Sequence, residues 1–189
     1  MKTIVSAAVA AIAASPAMAQ GLYINGGANL VDIDGDVLSN PEGEYQAGTV
    51  FGNVGFDFTK NFGAELDIQV GVSDAEATDN FAMTEDRISI NTFAGVYAKA
   101  GVPLADFLWI GGRVGAVGGD LDVEIVDQVT GQSFSGEGSV SGIGYGGVVT
   151  VDFASNMFLR FDYTRYDLED DGDASFEADS FALSLGMRF

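Results

Sequence analysis

The 189-residue chain sets 28 acidic residues against eight basic ones, a formal charge of −20, and contains neither cysteine nor histidine. That balance excludes electrostatic binding to nucleic acid, and the missing cysteine excludes a disulfide framework. The missing histidine removes the commonest catalytic base and transition-metal ligand near neutral pH. Yet 47% of the residues are hydrophobic, too many for an acidic disordered chain. Acidic and apolar residues must therefore be segregated along the sequence.

The chain opens on Met1 and Lys2, followed by an Ala-rich apolar run over residues 4–14 and a small-residue site ending in Ala17 and Ala19. This is the pattern of a secretory signal cut between Ala19 and Gln20, and its apolar run is too short to cross a bilayer as a helix. Residues 20–189 are then expected to form one exported domain.

From Leu22 onward the sequence alternates with period two, the signature of strands with two different faces. In strand one, Leu22, Ile24, Ala28 and Leu30 oppose Tyr23, Asn25 and Asn29. Strand two, near residues 47–58, sets Val50, Val54, Phe56 and Phe58 against Thr49, Asn53 and Asp57. After a tight turn at 59–61, strand three sets Phe62, Ala64, Leu66, Ile68, Val70 and Val72 against Glu65, Asp67 and Gln69. An acidic loop over 74–86 leads to strand four, where Ile88, Ile90, Thr92, Val96 and Ala98 oppose Phe93, Tyr97 and Lys99. Pro103 cannot serve a central ladder, so residues 102–106 are expected to turn the chain. Strand five places Leu108, Ile110, Val114 and Ala116 opposite Arg113, with Leu121, Val123 and Ile125 as an extension before the longest loop, to about residue 138. Strand six has Ile143, Tyr145, Val149, Val151 and Phe153 on its apolar face, and Thr150 and Asp152 on the other. Strand seven follows a short turn at 154–156 and opposes Met157, Leu159, Phe161 and Tyr163 to Arg160, Asp162 and Thr164. A last acidic loop over 167–177 delivers the terminal strand, with Phe181, Leu183, Leu185, Met187 and Phe189 on one face and Arg188 on the other.

Eight such strands, each about ten residues or more, have the length a tilted strand needs to cross a bilayer. Connections alternate long and short, and the acidic residues follow them. All but six of the 28, namely Asp57, Glu65, Asp67, Asp106, Asp152 and Asp162, fall in or beside the four long loops. The shared bulky face, with aromatics near the strand ends, fits a lipid-facing band with interfacial girdles. The glycine-rich face with few charges fits a filled interior. An all-β, eight-stranded, antiparallel up-and-down transmembrane barrel is the expected fold, closed because open edges in hydrocarbon leave backbone groups unpaired.

Signal, amphipathic strands, alternating connections and the terminal Phe189 together resemble the small Gram-negative outer-membrane β-barrel family, which includes the OmpA transmembrane domain, OmpX and opacity-protein-like barrels. The resemblance implies residence in the cell outer membrane, with short turns in the periplasm, long loops outside and lipopolysaccharide as neighbour. It also implies passage through the periplasm with chaperones. The face Phe181, Leu183, Leu185, Met187 and Phe189 is similar to the family's C-terminal assembly signal for the barrel-insertion machinery, although an aromatic is frequent where Met187 stands. Enzymes of this kind, such as lipid A deacylases and palmitoyl transferases, use a histidine, so no catalytic residue is assigned here.

The residues expected to matter are therefore inward charges. Glu65, Asp67, Arg113, Arg160 and Asp162 should form a salt-bridged cluster filling the lumen, with Asp57, Lys99, Asp152 and Arg188 as a lower layer toward the short turns. The functional alternative is a narrow ion path, because paired charges inside a membrane often mark one. Asp167, Glu169, Asp171 and Asp173 have the spacing of a calcium loop, but Ala178 stands where a bidentate Glu should close it, so no metal or cofactor is assigned. A solvated acidic surface is the first expectation at the loops, with diffuse divalent-ion bridging to lipopolysaccharide as the alternative. The reading is a monomeric, non-enzymatic barrel acting in envelope structure or surface contact, with a narrow porin-like channel as the alternative.

Overall fold

A computed structural model describes residues 21–34, 45–73, 75–79, 84–127, 133–170 and 175–189. The first 20 residues, including Ala19, Gln20 and the expected signal, lie outside them. All described regular structure is strand: β1 (Leu22–Asp34), β2 (Tyr45–Asp57), β3 (Phe62–Ser73), β4 (Ala75–Asp79), β5 (Thr84–Ala105), β6 (Leu108–Asp127), β7 (Ser133–Asp152), β8 (Met157–Asp170) and β9 (Ser175–Arg188). The sheet runs β3-β2-β1-β9-β8-β7-β6-β5-β4, and β3 also pairs with β5. Because β3 and β4 lie end to end along β5, the circumference holds eight antiparallel strands and the barrel is closed. The first and last strands meet in continuous register, from Tyr23 opposite Arg188 to Asp34 opposite Glu177. The backbone N–H of Phe189 finishes the seam by donating to the Leu22 carbonyl at 3.0 Å.

Alternation dictates which side chains meet lipid. Ile24, Leu30, Val54, Ile68, Val70, Val96, Val114, Ile143, Phe161 and Leu185 are exposed on the outer surface, while Asn25, Thr49, Glu65, Arg113 and Arg160 are buried inside. Phe58, Phe62, Phe107, Phe153 and Phe189, all exposed, gather at the short-turn end, where aromatic side chains suit the membrane–water boundary.

The structure departs from the sequence expectation in four places. Strand two runs over Tyr45–Asp57 rather than from about 47 to 58. Three of the four long connections are largely paired strand. β4 and the start of β5 occupy the expected 74–86 loop, β6 and β7 continue as a ribbon to Asp127 and from Ser133, and β8 and β9 reach Asp170 and restart at Ser175. Pro103 stands in β5 opposite Trp109, beside a register shift between Pro103 and Ala105; the irregular ladder tolerates the missing N–H, and the turn falls at 106–107. Finally, Ile90 points inward. A bulge between Ile90 and Thr92 inserts one residue and reverses the phase at Ile90, so Ile90 is buried while Asn91 and Thr92 are exposed.

Candidate functional site

Within a closed barrel the inward face of every strand is a candidate site, and here it forms stacked layers. At the centre is Arg160 on β8, 1% exposed. Its two terminal nitrogens reach Glu65 on β3, Nη1 to Oε1 at 2.5 Å and Nη2 to Oε2 at 2.8 Å. Its Nε donates to both oxygens of Asp162 at 3.0 and 2.9 Å. Asp162 is two residues along the same strand, so period two places it beside Arg160; Glu65 comes from across the lumen. A guanidinium gripping one carboxylate through its fork and another through Nε has its donors well used.

Arg113 on β6 is the second cation. Its Nη1 lies 3.3 Å from Asp67 and 3.7 Å from both Glu65 and Asp162. Its Nε and Nη2 donate to the Thr164 hydroxyl at 3.1 and 2.7 Å. Tyr97 supports it from one side, its ring centroid 4.4 Å from the guanidinium carbon, a cation–π contact strengthened by the burial of both partners. The structure thus brings Glu65, Asp67, Arg113, Arg160 and Asp162 into one network, with the Tyr23 hydroxyl donating to Glu65.

The four residues expected as a lower layer line one basin at the short-turn end, as two ion pairs. Lys99 pairs with Asp57 at 2.8 Å and reaches up to Glu65 at 3.8 Å, joining the central network. Arg188 pairs separately with Asp152 and lies over the Phe158 ring, 4.7 Å from its centroid. Tyr23 and Phe158 meet edge to face at 5.8 Å, each over a glycine on a neighbouring strand. A Cβ at Gly55 would overlap the Tyr23 ring, and one at Gly186 would overlap the Phe158 ring. The sole tryptophan, Trp109, also points inward. Lys99 lies over its ring at 5.1 Å, and its indole N–H donates to the Lys60 carbonyl at 3.1 Å. Below these rings a basin of about 190 Å³, lined by Lys60, Asp106, Asp152 and Arg188 among others, faces the short-turn end.

Above the charges comes a neutral polar belt. Ser180 donates to Asn29 at 2.8 Å, Asn29 to Gln69 at 3.1 Å, and Gln69 to the Tyr166 hydroxyl at 3.0 Å. Above that the lumen is apolar: Val31, Ile33, Ala47, Ile90, Phe93, Val117, Val140, Leu168 and Ala178 form one buried cluster. Phe93 and Tyr166 meet edge to face at 5.2 Å, and the cavity left among these residues is about 30 Å³, roughly the share of one water molecule in the liquid. The sequence reading puts Tyr23 and Phe93 on the inward face, but leaves out the rest of this cap, along with Phe158 and Trp109. Strand phase is the signal that finds them, since Val31 and Ile33 continue the inward series of Asn25 and Asn29.

The other expected sites lie elsewhere. Phe181, Leu183, Leu185, Met187 and Phe189 are all exposed on the outer surface. Asp167 and Glu169 sit exposed on β8 in extended backbone, while Asp171 and Asp173 fall outside the described residues. Among the described residues, no three histidine, cysteine, aspartate or glutamate side chains converge as metal ligands.

A closed eight-stranded barrel, apolar outside and ionic within, is the architecture of a small membrane barrel. The family described as outer membrane protein beta-barrel domain matches residues 4–189. The chain belongs to that family. Outer membrane β-barrel proteins reside in the outer membrane, and this one does too. Similar solved structures include Ail, the attachment invasion locus protein of Yersinia pestis, with a TM-score of 0.56 at 15% identity, covering 90% of this chain and 99% of that one. Neisserial surface protein A gives 0.57 at 11% identity over 89% and 97% of the two chains. A major outer membrane protein from Thermus thermophilus gives 0.56 at 13% identity over 89% and 99%. At these identities the likeness shows the β-barrel fold alone. No curated protein matches the chain.

Proposed function

We propose that this outer-membrane barrel is a non-conducting, non-enzymatic surface protein, working through the acidic end that carries its long connections. The observation behind this reading is the filled lumen: the aromatic floor, the Arg160 network, the Asn29–Gln69 belt and the apolar cap succeed one another along it, built largely of buried side chains. A barrel blocked in this way leaves its outer surface and loops as the parts able to meet a partner.

Charge defines that partner. Of the eight basic residues only Arg87 and Arg165 fall at the long-connection end, and Arg165 is already held by Asp179 at 2.8 Å and Glu177 at 3.6 Å. Asp32, Asp120, Asp122, Asp167 and Glu169 add further negative charge there. Such a surface recruits cations: basic segments of another protein, or divalent ions that bridge it to lipopolysaccharide phosphates. Ail has been solved with the heparin analogue sucrose octasulfate; the charge here opposes a polyanionic ligand of that kind. The outward terminal face from Phe181 to Phe189 supports a role in recognition by the insertion machinery.

The barrel refolded in neutral vesicles should capture a polylysine probe at low salt, lose it as salt rises, and ignore heparin. Heparin binding would overturn the proposed charge logic.

A further inference from the structure

β7 does not end where the strand beside it ends. It pairs with β6 from Ser133, opposite Val126, to Val151, opposite Leu108, without a register shift. Its ladder with β8 begins only at Val140, opposite Asp170. β8 turns back there, since Glu169 already stands opposite Ser175 on β9. Residues 133–139 therefore carry one edge of β7 past the barrel wall, and among the described residues no strand pairs with that edge. Along it every second residue turns its backbone N–H and C=O toward the open side, where they can bond another chain. Proteins ordinarily break up such an edge with proline, lysine or a bulge. This one carries none of them: its sequence is Ser-Phe-Ser-Gly-Glu-Gly-Ser, and its ladder with β6 is regular.

The two faces beside the edge differ. On the outward face Asp120 is exposed and accepts from Ser139 at 3.0 Å, and Asp122 accepts from Asn91 at 2.8 Å. The one charged residue of the edge, Glu137, is acidic as well. On the other face Gly136 and Gly138 share the phase of buried Val140. A Cβ at either glycine would meet nothing within 4 Å. Gly138 stands opposite Leu121, which packs half-buried against the apolar cap. The glycines thus leave room beside Leu121 for bulky side chains of an added strand. A second copy of this chain fits poorly, because it brings the same charge of −20 to an acidic face.

We propose, resting on the role in surface contact, that the free edge of β7 over 133–139 takes up an extended segment of another protein as an added strand, one whose side chains alternate between basic and bulky apolar. Backbone pairing holds the segment to the edge. Its basic side chains reach toward Asp120 and Asp122, and its apolar ones lie over Gly136 and Gly138 beside Leu121.

The probe is a labelled peptide of alternating lysine and valine, as long as the edge. It is offered at low salt to the barrel refolded into phosphatidylcholine vesicles and followed by fluorescence anisotropy, with polylysine as the charge-only comparison. The peptide should bind. The same peptide methylated on every backbone nitrogen should bind at least about tenfold more weakly, because its charges and side chains remain while its N–H groups are gone. Ser135→Pro and Gly136→Pro place the site on β7. Neighbouring N–H groups point to opposite edges, so the variant that keeps the wild-type thermal midpoint has lost only an open-side N–H. That variant should lose the peptide and keep polylysine. Equal binding of the plain and methylated peptides would overturn strand addition and leave charge as the whole attraction. So would a proline variant of wild-type stability that still binds the peptide, or a barrel that binds polylysine and not the peptide. Failure of both probes would overturn the proposal together with the surface-contact reading.

Discussion

Arg160→Ala is expected to destabilise the barrel by about 3–5 kcal/mol, the largest effect of any single change in the lumen. Removing this guanidinium deletes the contacts to Glu65 at 2.5 and 2.8 Å and to Asp162 at 2.7–3.0 Å. Two buried carboxylates are then left with Arg113 at 3.7 Å from each and with Lys99 at 3.8 Å from Glu65. The cost lies in the stranded charges more than in the lost attraction, since an uncompensated buried charge carries its full desolvation penalty. Arg160→Lys should recover part of the loss: it restores the charge without the fork that holds two oxygens of Glu65 at once. Urea unfolding in lipid vesicles, followed by Trp109 fluorescence, measures both variants.

The second large effect is on the opposite face. Ile68 lies mid-strand on β3 with its side chain toward lipid, next to Gln69, which points inward and donates to Tyr166. Ile68→Arg should cost about 2–4 kcal/mol, the depth-dependent penalty of a basic group near the bilayer midplane. Val102→Arg, near the short-turn end of β5, should cost about 0–1 kcal/mol by the same rule. If lipid did not contact this face, the two substitutions would cost alike. The comparison therefore tests which face of the sheet meets the membrane independently of the lumen.

Period-two alternation makes the strands, their phase and the closed barrel legible in the sequence alone. The inward positions of Glu65, Asp67, Arg113, Arg160 and Asp162 follow from the same phase. Pairing is not legible. Which carboxylate Arg160 grips depends on how β3 and β8 face one another across a closed barrel, a consequence of register around the whole circumference. That is also why Lys99 joins the central network through Glu65 while Arg188 stands apart with Asp152. Ile90 misleads because Ile88, Ile90 and Thr92 continue the alternation in sequence, whereas the bulge that reverses it is visible only against Leu121 and Asp120 on β6. The apolar cap is in phase yet unexpected, because a membrane barrel's interior is ordinarily polar. Inward positions are screened from lipid by the barrel wall at any depth, so Val31, Ile33, Phe93 and Leu168 can fill the lumen as the core of a soluble protein is filled. The long connections resemble loops on composition alone. Their serines, glycines and acidic residues read as turn chemistry, although paired strand accommodates them in a water-exposed ribbon.

A filled lumen should pass no ions, and planar-bilayer conductance of the refolded barrel measures this. The proposed function predicts no steady single-channel current in the wild type, with the Arg160 network and the apolar cap filling the lumen. Stable open-channel currents that persist through repeated insertions would contradict it and would make the buried charges the lining of a narrow ion path.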